Sequence, residues 1–159
     1  MLVYLSLGSN LGDRETNLRS AIAALPSANF HVGKVSSLYE TEPVDYLEQP
    51  WFLNCVVAGA TESQPAELLR ALRAIETQLG SKKAFAKGPR LLDIDILLFG
   101  DLSLDTPELQ IPHPRMLERK FVLAPLAEIA PALRHPSWPA NASDLLAQSA
   151  DPSVVRPLQ

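Results

Sequence analysis

Two aspartates one residue apart, Asp93 and Asp95, lie in an otherwise apolar run bounded by Gly88 and Gly100, GPRLLDIDILLFG. Leu91 to Phe99 has the length and the Ile/Leu content of a β-strand. Alternation puts both carboxylates on one face, with Leu92, Ile94, Ile96 and Leu98 on the other, filling a core. Two residues of strand advance about 6.6 Å. At an effective dielectric of about 20, two charges at that spacing repel by about 2–3 kcal/mol. Leu91 and Leu97 share the acidic face and add a desolvation cost. A hard divalent cation, Mg²⁺, shared with an anionic substrate would offset both terms. The bland alternative is a strand with one face in water.

Lys82, Lys83, Lys87 and Arg90 place four positive charges within nine residues, leading into that strand. By itself such a run is a solvated face; beside a metal site it reads as a funnel for a polyphosphate. Gly80 and Gly88 bracket Ser81 to Lys87 as hinges. The segment is therefore expected to move without ligand and to close over the phosphates as a lid. His113 is held in the rigid Pro112-His113-Pro114, as a directed ligand or as a surface loop residue. Glu76 sits in the last turn of a helix, where the dipole disfavours an acid by about 0.3–1 kcal/mol. Either Arg73, one turn earlier, pairs with it, or it serves a ligand. Phe52 and Asn54 share a strand face and suit a flat heterocycle, the ring stacking and the amide reading the edge. Spacing alone favours core packing for Phe52 and a turn-side hydrogen bond for Asn54.

These residues need a frame. Leu2 to Leu7 alternates as a strand and is followed by a turn, Gly8-Ser9-Asn10-Leu11-Gly12. A helix from about Asp13 to Leu25 buries Leu18, Ala21, Ile22 and Leu25 and stops at Pro26. Phe30 to Tyr39 reads as a second strand, Thr41 to Pro50 as a polar loop, and Phe52 to Ala60 as a third strand. Pro65 to Leu79 is a helix with a Leu68, Leu72, Ile75 and Leu79 stripe, Pro at its first turn and Gly80 at its end. With Leu91 to Phe99 the order is strand, helix, strand, strand, helix, strand. That order is the ferredoxin-like βαββαβ sandwich, an α+β fold with both helices on one face of a mostly antiparallel sheet. Nine of the 14 prolines fall in the last 55 residues. They limit helices there to short pieces, such as Met116 to Ile129 broken near Pro125. The expected organisation is one domain, 1–159, with a core of about 1–100 and a Pro-rich C-terminal extension of about 101–159.

A chain of 159 residues buries roughly 70% of its unfolded surface, enough for a real core. A net charge of −4 argues against broad binding to nucleic acid or to acidic membranes. No apolar run reaches about 18 residues, the N-terminus lacks a signal pattern, and the single cysteine, Cys55, cannot form an internal disulfide. The expectation is a cytoplasmic monomer. P-loop, GxGxxG, CxxC and HxxxH signatures are absent. An RNA-binding module of the same element order would show sheet aromatics and a basic surface, where this chain has acids. A non-catalytic ligand-binding domain would not need paired acids beside a basic loop.

Five stretches then occur in order: GSNLGD from Gly8, YETEP from Tyr39, QPWFLN from Gln49, GPRLLDIDIL from Gly88 and IPHPRMLERKFVLAPL from Ile111. Over residues 1 to about 131 they closely resemble the 6-hydroxymethyl-7,8-dihydropterin pyrophosphokinase family of folate biosynthesis. The resemblance implies an ATP-dependent diphosphotransferase. It would move the β,γ-diphosphate of ATP to the pterin hydroxymethyl group and release AMP, with two Mg²⁺ ions and small-molecule substrates only. Asp93 and Asp95 resemble the metal ligands. Arg90, His113 and Arg119 resemble phosphate and nucleotide contacts, and Glu76 a further nucleotide contact. Phe52 and Phe121 resemble the aromatics that sandwich the pterin, with Asn54 and the backbone of Thr41, Pro43 and Val44 reading its edge. The chain departs from the family pattern in three places. Lys82 and Lys83, beside Arg90 in the catalytic set, stand where arginines often clamp the triphosphate. Lys87 replaces a tryptophan, and a Gln or similar residue near Arg73 is absent. Lysine keeps the charge and loses the bidentate fork.

Overall fold

The computed structural model describes residues 1–80 and 88–158. In chain order these form β1 (Leu2–Ser9), α1 (Arg14–Ala24), β2 (Phe30–Val35), β3 (Tyr39–Thr41), β4 (Phe52–Thr61), α2 (Pro65–Gln78) and β5 (Asp93–Phe99). Then follow β6 (Leu104–Asp105), β7 (Gln110–Ile111), α3 (Lys120–Ile129), α4 (Ala142–Ala147) and β8 (Val155–Pro157). The main sheet runs β5-β1-β4-β3-β8, β2 pairs with the far half of β4, and every pairing is antiparallel.

The strand alternation sorts the apolar residues into two layers. Val3, Leu5, Leu7, Cys55, Val57 and Ile94 pack against Leu18 and Ala21 of α1 and Leu68, Leu72 and Ile75 of α2. Tyr4, Val56, Ala58, Leu97 and Leu98 face the other way, against Val122 and Leu126 of α3 and Ala142 of α4. Burying each such Val or Leu contributes about 1.5–3 kcal/mol, so the sheet is held from both sides. The helix ends follow local chemistry. Asp13 accepts from Thr16 N–H at 3.1 Å as the N-cap of α1, Glu67 accepts from Gln64 N–H at 3.0 Å at the start of α2, and Gly80, at φ +82°, ends the α2 segment.

Three expectations are corrected. The Phe30 to Tyr39 strand divides into β2 and β3, because Ser36 enters the ladder with its side chain: Ser36 N–H donates to Val56 O and Val56 N–H to Ser36 Oγ, both 2.9 Å. Leu98 does not share a face with Ile94 and Ile96. The β1–β5 register slips between Tyr4 and Leu5, so Leu97 and Leu98 both join the α3 layer while Phe99 returns to the other. Finally, α3 is not broken near Pro125; it runs through it. A proline inside a helix costs about 3 kcal/mol, and the burial of Val122, Leu123 and Leu126 around it outweighs that.

Candidate active site

Four strand ends meet on the α3 face of the sheet. One row across it reads Asp93, Gly8, Asn54 and Tyr39 on β5, β1, β4 and β3, and beside it Asp95 lies opposite Ser6. Above this floor stand two walls, the chain after Thr41 and the start of α3. Together they enclose a narrow cleft lined by Thr41, Pro43, Val44, Phe52, Asn54 and Phe121 and, at one end, by Arg90, Asp93, Asp95 and Arg119. Two aromatic rings beside a buried amide suit a small flat ligand.

Asn54 is buried and donates its Nδ2–H to Thr41 Oγ1 at 2.6 Å. A Cβ on Gly8 would lie 2.5 Å from Asn54 Oδ1; a glycine there lets the amide rest on β1. Asn10, read as part of a plain turn, is 2% exposed. It accepts Arg90 N–H on Oδ1 at 2.9 Å and donates Nδ2–H to Gln49 Oε1 and Pro50 O, each at 2.9 Å. One side chain thus joins the basic approach to β5 with the loop before Phe52.

The aspartates are held from both flanks. Arg90 Nη1–H donates to Asp93 Oδ2 at 3.1 Å, and Arg73 Nη2 lies 3.8 Å from Asp95 Oδ1. From α2, Glu76 Oε2 accepts Ile94 N–H at 2.7 Å while Arg73 Nη1–H donates to Ile94 O at 2.7 Å. Glu76 and Arg73 also pair at 2.9 Å. They grip both backbone groups of the residue between the aspartates, so side-chain direction on β5 is set from the helix layer. Burial, and next the charge of Asp93, raise the Asp95 carboxyl well above the usual range. Burial raises Glu76 as well, against the opposing pull of Arg73.

A second cleft lies beyond Asp95, lined by Leu69, Arg73, Ile96, Leu109, His113 and the β6–β7 turn, with Asp95 shared between the two. His113 N–H donates to Leu97 O at 2.9 Å, and its Nδ1 accepts Arg115 N–H at 3.2 Å. The ring proton therefore sits on Nε2 when the ring is neutral. Burial, then the charge of Arg119, push its pKa down to about 4. Arg119 is mostly buried, lies 5.6 Å over the Phe121 ring, and its Nε has no hydrogen-bond partner among the described residues. An orphaned buried donor at the mouth of an acid-floored cleft fits an anion held against a cation. Among the described residues no group of three His, Cys, Asp or Glu side chains could cage a metal. Two carboxylates fit the remaining case, a Mg²⁺ completed by substrate phosphates and water.

Residues 4–131 match the family model described as 7,8-dihydro-6-hydroxymethylpterin-pyrophosphokinase. The chain belongs to this pyrophosphokinase family. It is 53% identical over 129 residues to the 2-amino-4-hydroxy-6-hydroxymethyldihydropteridine pyrophosphokinase of Bacillus subtilis, covering 80% of this chain and 77% of that one. The Pseudomonas aeruginosa protein of the same name is 45% identical over 137 residues, with 84% and 83% covered. A crystal structure of a Plasmodium falciparum HPPK-DHPS triple mutant with pteroate superposes with a TM-score of 0.72 at 16% identity. That likeness shows the fold alone. It covers 92% of this chain and 43% of the other, so the chain spans less than half of that larger protein.

Set against the pyrophosphokinase motifs, Thr41, Pro43, Val44, Phe52, Asn54, Phe121, Arg90, Asp93, Asp95 and Arg119 come together around the first cleft. His113 lines the second, and Glu76 stands behind β5, engaged with Ile94 and Arg73. Lys82, Lys83 and the proposed lid, 81–87, lie outside the described residues. Sequence reasoning missed Asn10, Gln49 and the contact of Arg73 with Asp95. The available signals were the GSNLGD and QPWFLN stretches that contain Asn10 and Gln49 and the pairing of Arg73 with Glu76 on a single helix face.

Proposed function

We propose that the chain is a pyrophosphokinase that transfers diphosphate from ATP to 6-hydroxymethyl-7,8-dihydropterin, releasing AMP, in folate biosynthesis. The observation that carries this reading is the meeting of two clefts at Asp95, one flat and aromatic, one larger and flanked by His113. Asp93 and Asp95 would hold Mg²⁺, two ions in this reading, which when bound would neutralise phosphate charge and ease ionisation of the attacking hydroxyl. Phe52 and Phe121 stack the pterin while Asn54, with the Thr41, Pro43 and Val44 backbone, reads its edge. Arg90, Arg119 and the Nε2–H of His113 bind and orient the phosphates, with Glu76 on the nucleotide side. Lys82 and Lys83 complete the catalytic set. The pterin oxygen attacks the β-phosphorus, AMP departs, and the hydroxyl proton goes to solvent, so alignment and charge neutralisation do most of the chemistry.

The strand order β5-β1-β4 with β2 and β3 sharing the far edge of β4, and α1 and α2 on one face, supports a ferredoxin-like core of about 1–100 within one domain of 1–159, carrying a Pro-rich extension. We further read the enzyme as a cytoplasmic monomer without nucleic-acid or membrane partners; no helix among the described residues is long and apolar enough to cross a membrane.

Incubation with Mg-ATP should release AMP only when hydroxymethyl-dihydropterin is added; ADP release would mean transfer of a single phosphoryl group. Phe52→Ala and Phe121→Ala should each weaken pterin binding about tenfold, since stacking adds about 0.5–1.5 kcal/mol to area burial. Affinity for a non-hydrolysable ATP analogue should hold. Titration calorimetry checks both, and unchanged pterin affinity in both variants would return the rings to core packing.

A further inference from the structure

The family match ends at residue 131, yet the chain beyond it returns to the first cleft. β8 adds to the edge of β3, with Val155 opposite Thr41 and Arg156 opposite Glu40. The pairing continues past the strand ends: Glu42 N–H donates to Val154 O and Val154 N–H to the Glu42 carboxylate, both at 2.9 Å. Arg156 donates to Glu40 at 2.9 Å and lies 5.1 Å over the ring of Trp51, the residue before Phe52. Just upstream, the same segment reaches the opposite wall. Asp151 Oδ2 accepts Lys120 N–H at 2.9 Å, capping α3 between Arg119 and Phe121. Its Oδ1 accepts Ser153 N–H at 2.9 Å, which turns the chain from one wall to the other.

One short segment is thus bonded to both walls, and none of its side chains lines the cleft between them. In the reading above, the pterin's edge meets the backbone of Thr41, Pro43 and Val44 and its face meets Phe121, and both contacts weaken steeply with distance. We propose that residues 151–158 are a positioning strap that sets the spacing of the Thr41–Asp45 and Phe121 walls, and through it the affinity for the pterin. This rests on the pterin reading above. The β6–β7 side of the second cleft takes no bond from the strap, so its effect falls on one substrate.

The test uses the full-length chain as parent, Asp151→Ala, Asp151→Asn and Arg156→Ala. Each is titrated with a non-hydrolysable ATP analogue, and then with hydroxymethyl-dihydropterin at saturating analogue and Mg²⁺. Asp151→Ala should lose pterin affinity about tenfold, the scale of one lost cap, and Arg156→Ala, whose side chain is 60% exposed, about threefold, while analogue affinity stays within about twofold. Asp151→Asn should fall between the parent and Asp151→Ala, because its one amide oxygen can still cap the Lys120 N–H while its NH2 stands where an oxygen accepted the Ser153 N–H. Alanine variants that melt lower but bind pterin as the parent does would overturn the strap, as would equal losses for both ligands. A parent that takes up no pterin overturns the site reading itself, and the strap with it, before any variant is made.

Discussion

Asp95→Asn should lose about three orders of magnitude in turnover, the scale of removing a group that organises transition-state charge, and should nonetheless fold more stably than the parent in EDTA at pH 8. The folded Asp95 carboxyl titrates above its unfolded value because burial and Asp93 disfavour its charge. A raised carboxyl favours folding most at acid pH, and that contribution is lost as pH rises through the folded pKa. At pH 8 the parent carries the cost of a partly desolvated, repelled charge, and asparagine does not. The gain in melting temperature should therefore be largest at pH 8 and shrink towards pH 5, at about 2–4 °C per kcal/mol. Asp93→Ala should be as inactive but less stable than the parent, because it leaves Arg90, whose side chain is 11% exposed, without its 3.1 Å ion-pair partner. Calorimetric melting at the two pH values with single-turnover rates checks the set. Near-parent Mg²⁺-dependent turnover in either variant would remove the metal assignment.

Gly8→Ala should weaken pterin binding about 100-fold and lower stability by about 1–3 kcal/mol, the scale of one broken buried hydrogen bond, with little change in affinity for the ATP analogue. The added Cβ falls 2.5 Å from Asn54 Oδ1, and what must yield is the end of a side chain, so the sheet survives. The amide then leaves the position set by its 2.6 Å bond to Thr41. If the loss runs through Asn54, Asn54→Ala should match it and the double variant should be no worse than either, the mark of a shared cause. Additive losses would mean that Gly8 meets the ligand directly.

The residues proposed to do the chemistry were more legible in the sequence than the ones that aim them. Asp93 and Asp95 betray themselves by local spacing, because a strand has a strict two-residue period and paired acids on an apolar run are costly. The boundaries of α1 and α2 were equally legible, because capping residues, proline and glycine act within one turn. Spacing favoured core packing for Phe52 and a turn-side hydrogen bond for Asn54 over the flat heterocycle the pair could also hold, and the motif resemblance tipped the reading to a ligand. Asn10 shows why: a polar residue in a turn reads as exposed, and its burial depends on partners 39, 40 and 80 residues away. The register slip in β5 and the split between β2 and β3 depend on cross-strand partners, which no window along one strand contains. β8 has three residues, too short for any period, and its role arises only from the β3 edge it completes.

The most direct measurement follows ATP radiolabelled at the β-phosphorus, incubated with Mg²⁺, hydroxymethyl-dihydropterin and the full-length chain, with the products separated by chromatography. Label should move to the pterin in a one-to-one ratio with unlabelled AMP, and no labelled product should form without pterin. Label retained in ADP, or AMP released at the same rate with and without pterin, would contradict diphosphate transfer to the pterin at the junction of the two clefts.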